Sequence, residues 1–434
     1  MAEVWQIAIG DELLGGRTAD TNSLRVQRAL GTPASGILVV PDRYDAIVAA
    51  LARTPPGSLV FLTGGLGSTP DDMTREALAG WAGAPLEERP ELRAELERRA
   101  RARGLSRFVG VSHQAQVPRG LTALPNPVGS APALVGRLRG RDLVLLPGVQ
   151  AEMEALLPAA LDWLRARGVL PPPAPRRLWR TAQLAELAVV RICAPVRERY
   201  PHLDWSWWLD RWGVDVRLAV PPGFATAEEG GGEASGPLRD LEAAAAELDA
   251  ALAPVTYARA PVSLAQSVQD LMLARDVTLA VAESCTAGLL AAALTESAGS
   301  SGYFLGGVVT YANDVKRDQL GVPEPMLAHH GAVSEPVARA MAAGVRERFG
   351  ADYALSVTGV AGPGGGTEAK PVGTTWIAIA TGEAVFARRF RFPADRTRNR
   401  AVAVATALDT LRRVLSGDET GAPWRSEDSW GWDP

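Results

Sequence analysis

The sequence contains very few cysteine, histidine and lysine residues. Its two cysteines, Cys193 and Cys285, and its four histidines show no zinc-site spacing and argue against a disulfide framework, which favours a reducing, cytoplasmic location. Lysine is scarce beside arginine, since Lys316 and Lys370 stand against 43 arginines. Because lysine can lose its proton whereas arginine does not, a lysine retained under this bias is a candidate for function.

Long apolar runs and a strong excess of one charge are also absent. No run is long enough to span a bilayer, and "MAEVWQIAIGDELL" has no basic segment before its apolar stretch, so neither a membrane span nor a signal peptide is predicted. The net charge of −4 gives no electrostatic reason to expect a nucleic-acid or membrane partner. A chain of 434 residues, 47% of them hydrophobic, is long enough for about two to four globular domains.

The pattern of apolar runs divides the chain. Apolar strands alternate with helical stretches in the first part, which predicts an α/β domain with a parallel sheet. "PPPAP" at 171–175 interrupts this pattern, and the Trp-rich "WSWWLDRW" follows in a small α+β region with a flexible excursion at 228–237. A further α/β domain comes next. The predicted divisions are 1–170, 171–257, 258–416 and a disordered tail, 417–434.

The stretch "VAESCTAGLLAAAL", residues 281–294, places an acid, two hydroxyls and a thiol where a strand leads into a helix. Ser284 or Thr286 is expected to cap the helix that begins near Gly288. The carboxyl end of a strand beside a helix N-terminus is also the usual ligand position in open α/β sheets. The stretch therefore predicts a binding site as well as a cap.

Further turns in the same domain are rich in glycine and cations. The segments "ESAGSSGYF" (296–304) and "TGVAGPGGGTEAKPVG" (358–373) permit close backbone approach to a phosphate. "VVTYANDVK" places Tyr311 and Lys316 after a strand. Arg396, Arg398 and Arg400 lie at a helix start, where cations oppose the dipole, which predicts either a compensating anion such as a phosphate or a solvated arginine surface.

These stretches, with "HHGAVSEPVA" and a final "DR", resemble the C-terminal domain of the CinA family over residues 260–415. The resemblance implies hydrolysis of the carboxamide of nicotinamide mononucleotide to nicotinate mononucleotide and ammonia, in pyridine-nucleotide recycling, without a cofactor. It implies that Ser301 and Lys316 are catalytic and that Tyr311 orients them. The implied substrate contacts are Ser284, Thr286, Thr358, Gly359, Gly362, Lys370, Arg396 and Arg400.

The residues themselves fit this chemistry. Amide hydrolysis needs a nucleophile or an activated water, a base and an oxyanion donor. Because the motifs contain no catalytic histidine and no metal cluster, a Ser–Lys arrangement is favoured, with Cys285 as the alternative nucleophile and activated water as a third option. Ala287 stands where the family usually has glycine, which tightens that turn.

The first domain carries its own glycine turns, "GDELLGG" (10–16) and "TGGLGSTPDDMTREAL" (63–78). Thr69 as N-cap and Pro70 at the first helical position predict a helix start there. The glycine run directly after a strand suits a phosphate or nucleotide. Carboxylates that could gather a divalent ion are Asp11, Glu12, Asp71, Asp72 and Glu76.

Residues 4–165 resemble the molybdopterin-binding-like domain of CinA proteins, although Asp11 and Ser68 depart from the family pattern. The resemblance implies cleavage of pyrophosphates, notably ADP-ribose, that depends on Mg, Mn or Co. The implied nucleotide site is Gly10, Asn22, Gly64, Gly65, Gly67 and Ser130. The middle region occupies the place of the family's small KH-like α+β domain but has no G-x-x-G clamp, so nucleic-acid binding is not predicted.

The family also implies a homodimer. Two alternatives to an enzyme remain open at this point. One is a binding protein associated with competence or DNA damage, and the other is a molybdopterin-binding protein without hydrolase activity.

Overall fold

The computed structural model describes residues 3–102, 111–221 and 236–417. Contacts divide the chain into two compact units, Met1–Pro172 and Pro173–Pro434. All but the first residue of the predicted tail, 417–434, and most of the predicted excursion, 228–237, lie outside the described residues. Within the described ranges, no helix is long and apolar enough to cross a membrane.

The first unit is an α/β domain, as its alternating pattern predicts. Its strands are β1 (Val4–Ile9), β2 (Gly36–Val40), β3 (Leu59–Thr63), β4 (Leu86–Glu88), β5 (Gln116–Pro118), β6 (Leu121–Leu124), β7 (Ala133–Leu138) and β8 (Arg141–Leu146). Its helices are α1 (Asp11–Leu14), α2 (Thr21–Leu30), α3 (Tyr44–Arg53), α4 (Thr74–Ala82), α5 (Pro90–Ala102), α6 (Val111–Gln114) and α7 (Gln150–Ala166).

The main sheet of this unit runs in the order β2-β1-β3-β8-β7-β6. The first four strands in that order are parallel to one another. β7 pairs antiparallel with both β8 and β6, so the prediction of a parallel sheet is wrong for this edge. β1 lies between β2 and β3, and the chain therefore changes direction across the sheet at β1. Ligands bind outside the carboxyl ends of strands at such a reversal point.

The helix predicted to start at Thr69 begins later. α4 starts at Thr74, and its N-cap, Met73, makes no side-chain cap hydrogen bond. Asp72 instead accepts hydrogen bonds from the amides of Gly67 and Thr69, both at 2.8 Å. The Asp72 carboxylate therefore folds residues 67–72 into a closed turn, which takes Thr69 and Pro70 out of the helix.

The second unit opens with a small α+β region. Its strands are β9 (Arg176–Ala182), β10 (Asp204–Leu209), β11 (Gly213–Ala219) and β12 (Thr256–Ala258), and its helices are α8 (Glu186–Arg199) and α9 (Gly236–Leu252). They form an antiparallel sheet in the order β10-β11-β9-β12, with the helices against one face. Trp205 and Trp207 stack together and pack against this core, so these two members of the Trp cluster have a packing role.

The rest of the unit is built around a five-stranded sheet. Its strands are β13 (Leu279–Glu283), β14 (Phe304–Val309), β15 (Tyr353–Gly359), β16 (Thr374–Ala380) and β17 (Val385–Arg391). Its helices are α10 (Leu264–Arg275), α11 (Leu289–Leu294), α12 (Asn313–Leu320), α13 (Glu324–His330), α14 (Glu335–Phe349) and α15 (Arg396–Leu415).

This sheet has the order β14-β13-β15-β16-β17. β13 pairs in parallel with both of its neighbours, while β16 and β17 are antiparallel. The chain passes from β13 to β14 on one side and then to β15 on the other. The carboxyl end of β13 is therefore the reversal point of this sheet, and "AESCT" begins there.

The small α+β region shares a hydrophobic core with the five-stranded sheet. Trp212 and Tyr257 of the small region are buried in one cluster with Val402 and Leu408 of α15. Arg413 of α15 also donates to the carbonyl oxygen of Pro254 at 2.6 Å. α15 therefore packs between the five-stranded sheet and the small α+β region. This packing limits the movement of the helix, including its first turn.

We expect Trp212→Ala to lower the free energy of unfolding of this unit by about 3 kcal/mol or more, because it empties a large buried volume. Trp212 is 6% exposed, whereas Trp208, on the neighbouring strand, is 40% exposed. Trp208→Ala is the matched control and should cost about 1 kcal/mol or less. Urea unfolding followed by circular dichroism measures both. Equal losses would contradict the shared core.

Candidate functional site

The turn after β13 is capped by an acid. The carboxylate of Glu283, which is 1% exposed, accepts hydrogen bonds from the amides of Gly288, Leu290 and Ala291 at 2.8–3.0 Å. Neither Ser284 nor Thr286 caps α11, so that prediction is wrong. The glutamate side chain reaches back from the strand end to the first helical N–H groups and leaves both hydroxyls available.

The same turn has an unusual backbone. Ala287 has φ of 50° and Gly288 has φ of 93°, so both lie in the left-handed region. For alanine this conformation costs about 1–2 kcal/mol, which explains why glycine is the easier residue here. The amides of Cys285 and Thr286 donate to no backbone carbonyl in the part of the chain that the structure describes.

Lys316 points into this turn. Its Nζ donates to Ser284 Oγ at 3.2 Å, to the Thr310 carbonyl at 2.7 Å and to the Tyr311 carbonyl at 3.5 Å. The residue is 1% exposed, and burial lowers the pKa of its amine below the usual value of about 10.5. Within the described residues no carboxylate bonds to it. The two carbonyls can only accept, whereas a hydroxyl can also donate, so on loss of a proton the amine lone pair would face Ser284 Oγ.

The structure does not bring Ser301 to Lys316. Ser301 is exposed in a 3₁₀ turn, Ser300–Gly302, before β14, whereas Lys316 follows the opposite end of that strand. Six strand residues separate the two ends by about 20 Å. The hydroxyl paired with Lys316 belongs to Ser284, so the pairing with Ser301 is corrected.

The alternative nucleophile, Cys285, lies beside the same pair but is poorly suited to attack. Its thiol is 7% exposed, and burial raises its pKa to about 11. Because the thiolate is the reactive form, very little nucleophile exists at neutral pH. The geometry therefore favours Ser284.

Two arginines of α15 also reach the site. Arg400 donates to the Thr286 carbonyl at 2.8 Å, while Arg396 donates to the Gly362 carbonyl at 2.9 Å and to the Tyr311 hydroxyl at 3.2 Å. These partners are all uncharged. Arg396 and Arg400 thus bring two cations to one cleft, and neither forms an ion pair with a described residue.

A phosphate is not needed to compensate the start of α15. Asp395 is its N-cap, and the aspartate side chain accepts from the Arg398 amide at 3.0 Å. The dipole of this helix is therefore balanced by the chain itself. The uncompensated charge lies on the arginine side chains.

Other predicted substrate contacts have structural partners. Thr358 donates to the Ala332 carbonyl at 2.9 Å, and Lys370 donates to the His330 carbonyl at 2.6 Å, at the end of α13. A Cβ at Gly359 would crowd Thr375, and one at Gly362 would crowd Val372. These four residues shape the loops that border the cleft.

Asn399 was not singled out in the sequence. It is 2% exposed and its amide nitrogen donates to the carbonyls of Ala361 and Ala394 at 3.1 and 2.8 Å. It therefore ties the glycine-rich loop to the start of α15. An asparagine one helical turn after a cap residue was the available signal.

In the first unit, the glycine-rich loop after β3 lies at the carboxyl edge of the sheet. Gly64 has φ of 105°, and a Cβ there would overlap the carbonyl oxygen of Ile9. Arg75, which sequence reasoning missed, is fully buried and donates to the Leu66 carbonyl at 2.7 Å. Burial lowers the pKa of this guanidinium to about 10. Arg75 therefore stabilises the glycine-rich loop through its bond to the main chain at Leu66.

The remaining predicted nucleotide contacts lie on loops at this edge, except Asn22, which is in the first turn of α2. Asn22 donates to the Gly148 carbonyl at 2.8 Å, and Ser130 accepts from Gln114 at 3.2 Å. The contacts of the other three are Gly10 N–H to the Val40 carbonyl, Gly65 against Thr74, and Gly67 N–H to Asp72. Gly10, Gly64 and Gly148 meet where β1, β3 and β8 end.

The five predicted metal-binding carboxylates do not form one cluster. Asp72 closes the loop, and Glu76 lies 2.7 Å from His113, so both are engaged elsewhere. Asp11 and Glu12 lie near a carboxylate that sequence reasoning missed, Asp42.

Asp42 follows β2 and accepts from the Asp11 amide at 2.9 Å. The pKa of Asp42 is raised, first by burial and then by the negative charges of Glu12, Asp11 and Asp71. Three further carboxylates therefore lie close enough to Asp42 to raise its pKa. Among the described residues, however, no group of three or more His, Cys, Asp or Glu is arranged to hold a metal ion. Metal dependence stays a prediction.

Comparison with known proteins covers both units. The model of the CinA C-terminal domain matches residues 262–415, and the model of a probable molybdopterin binding domain matches residues 5–166. A CinA-like protein of Citrifermentans bemidjiense is 40% identical over 430 residues, covering 94% of this chain and 96% of the relative. One of Gemmatimonas aurantiaca is 40% identical, covering 98% of each chain. A solved structure, a CinA superfamily protein from Klebsiella pneumoniae, is 38% identical, covers 36% of this chain and 96% of that one, and has a TM-score of 0.35.

Proposed function

The chain belongs to the CinA family, and from that premise we propose that its C-terminal domain deamidates nicotinamide mononucleotide to nicotinate mononucleotide and ammonia. The observation that carries the proposal is the buried amine of Lys316, 3.2 Å from Ser284 Oγ and without an anionic partner among the described residues. Burial lowers the pKa of this amine, so a larger share of it is uncharged and able to act as a base than in an exposed lysine.

The reaction begins when the Ser284 oxygen attacks the carboxamide carbon. Its proton moves to the lone pair of Lys316, and the carbonyl π electrons move to oxygen to give a tetrahedral intermediate. Lys316 then gives the proton to the amide nitrogen, and the C–N bond breaks as the carbonyl re-forms. Ammonia departs, and the acyl group stays bound to Ser284 as an ester. Water hydrolyses the ester with Lys316 again as base, which returns the proton to Ser284. The net change is carboxamide plus water to carboxylic acid plus ammonia.

The turn also offers donors to the developing oxyanion. The amides of Cys285 and Thr286 follow the nucleophile directly and have no backbone acceptor within the described ranges. Backbone N–H groups beside a nucleophile stabilise a tetrahedral oxyanion because they need no reorganisation during the reaction. We assign this role to these two amides.

The charge of the cleft supports a phosphorylated substrate. Arg396 and Arg400 bond only to uncharged groups among the described residues, so their charge is available to an anion. An arginine guanidinium binds phosphate through parallel N–H groups. Arg396 lies at the mouth beside Tyr311, which is 59% exposed, and we assign the phosphate to this side.

For the first unit we propose a cation-dependent pyrophosphatase that acts on ADP-ribose or a related dinucleotide. The observation that favours it is Asp42, whose pKa is raised in part by three neighbouring carboxylates. A divalent cation would relieve this repulsion and bind substrate phosphates. The candidate ligands are Asp11, Glu12, Asp42 and Asp71.

One experiment tests both proposals. Ammonia release from nicotinamide mononucleotide and cleavage of ADP-ribose are measured with added Mg²⁺, Mn²⁺ or Co²⁺ and again with excess chelator. We expect the chelator to leave ammonia release within about twofold and to abolish ADP-ribose cleavage. The dephosphorylated nucleoside is the control and should have a KM at least about 10-fold higher, since it loses the arginine contacts. A protein with neither activity would support the binding-protein alternative.

A further inference from the structure

We infer that Glu283 is a positioning residue, which fixes Ser284 and Lys316 from the strand end and takes no part in proton transfer. The inference rests on the proposed amidohydrolase function for its kinetic readout. The acid is adjacent in sequence to the nucleophile, and an acid at this position would ordinarily be a candidate base. Its contacts exclude that role.

The side chain of Glu283 is fully occupied. One carboxylate oxygen accepts from Gly288 and Leu290 at 2.9 and 3.0 Å, and the other accepts from Ala291 at 2.8 Å. With the residue 1% exposed, taking a proton would weaken its bonds to these three amides in a site that water does not reach easily. These bonds lock the far end of the turn that begins at Ser284.

The backbone of Glu283 reaches the lysine side of the site. Its carbonyl oxygen accepts from the Thr310 amide at 2.7 Å and from the Thr310 hydroxyl at 3.3 Å. The carbonyl of Thr310 in turn accepts from Lys316 Nζ at 2.7 Å. Thr310 is completely buried. The side chain of Glu283 therefore binds the turn that carries Ser284. Its main-chain carbonyl binds Thr310, whose own carbonyl accepts from Lys316.

Two roles for Glu283 predict opposite changes at Lys316. If the acid is a direct charge partner of the amine, neutralising it removes a stabilising charge and lowers the pKa of Lys316. If it is a positioning residue, loosening the turn admits water to the amine and raises that pKa toward the usual value of about 10.5. The sign of the change therefore decides between the two roles.

The scarcity of lysine makes this measurable in the full chain. Because the sequence has only Lys316 and Lys370, ¹³Cε-lysine labelling gives two lysine resonances, and Lys370→Arg assigns them. We expect Glu283→Gln to raise the Lys316 pKa and to lower kcat about 10- to 100-fold with KM within about threefold, since a small misplacement suffices for such a loss. Glu283→Asp keeps the charge but shortens the reach, and should change both quantities in the same direction by less.

Glu335→Gln is the matched control. Glu335 lies in the first turn of α14 and pairs with Arg339 at the surface, so its loss should leave both quantities unchanged. A fall in the Lys316 pKa in Glu283→Gln, or unchanged kcat and pKa in both Glu283 variants, would overturn the inference. If the unaltered protein released no ammonia, the proposed function would fail. The titration would still decide whether Glu283 positions the amine, and an unchanged titration would reject it.

Discussion

Lys316→Arg is expected to lower kcat/KM for ammonia release by at least about 10³-fold while the domain stays folded. The proposed mechanism requires an uncharged amine that accepts the Ser284 proton, and a guanidinium remains protonated at all working pH values. Lys316→Met, which keeps the length of the buried stem, should lose as much activity. Lys370→Arg is the control and should retain activity within about threefold, because Lys370 binds a helix-end carbonyl as a cation.

The pH dependence gives an independent check on the same residue. Burial lowers the pKa of Lys316, so the neutral base is present above that lowered value and is lost as pH falls through it. The profile of kcat/KM should therefore rise with pH along an acidic limb whose midpoint lies below 10.5. That midpoint should agree with the Lys316 titration measured by NMR. Full ammonia release by Lys316→Arg, confirmed as folded by circular dichroism, would refute the role of the amine.

Ser284→Ala is expected to lower kcat by at least about 10³-fold, because the oxygen that forms the ester is removed. Ser301→Ala should stay within about threefold, since Ser301 is exposed at the opposite end of β14. Cys285→Ser tests the remaining nucleophile and should retain activity within about tenfold. The measurement is steady-state ammonia release together with thermal unfolding of each variant.

The pair of serine variants separates geometry from family resemblance. Loss of activity in Ser301→Ala with retention in Ser284→Ala would show that Ser301 is the nucleophile and would contradict the pairing of Ser284 with Lys316. Trapping the proposed ester with hydroxylamine gives a second readout, since only an enzyme that forms an acyl intermediate yields the hydroxamate. Absence of hydroxamate with full activity would favour activated water over Ser284.

The elements of the C-terminal domain were largely readable from the sequence. "YALSVTG" predicts a strand over residues 353–359 and is β15, and the helix predicted over 396–415 is α15. Both follow from local patterns: an apolar run that is buried on both faces, and a long stretch rich in the helix formers Ala, Leu and Arg. The structure confirms the α/β class. The comparisons confirm membership of the CinA family.

The cap predictions failed where a neighbouring carboxylate took the role expected of a hydroxyl. Thr69 has good cap chemistry, but the Asp72 carboxylate binds its amide and moves the helix start to Thr74. Ser284 and Thr286 also suit a cap, but the Glu283 side chain reaches those amides first. Sequence patterns rank cap residues by type, whereas the structure depends on which side chain reaches the N–H groups.

The sequence by itself determined the strands, the helices and the set of residues that stand at strand ends, and the scarcity of lysine marked Lys316 for attention. Only the tertiary structure decided which of these residues meet. Ser301 is closer to Lys316 along the chain than Ser284 is, yet Lys316 bonds to Ser284, 32 residues away. The reason is that parallel strands bring their carboxyl ends to one edge of the sheet, so residues that follow β13 and β14 become neighbours while the residue before β14 lies at the other edge.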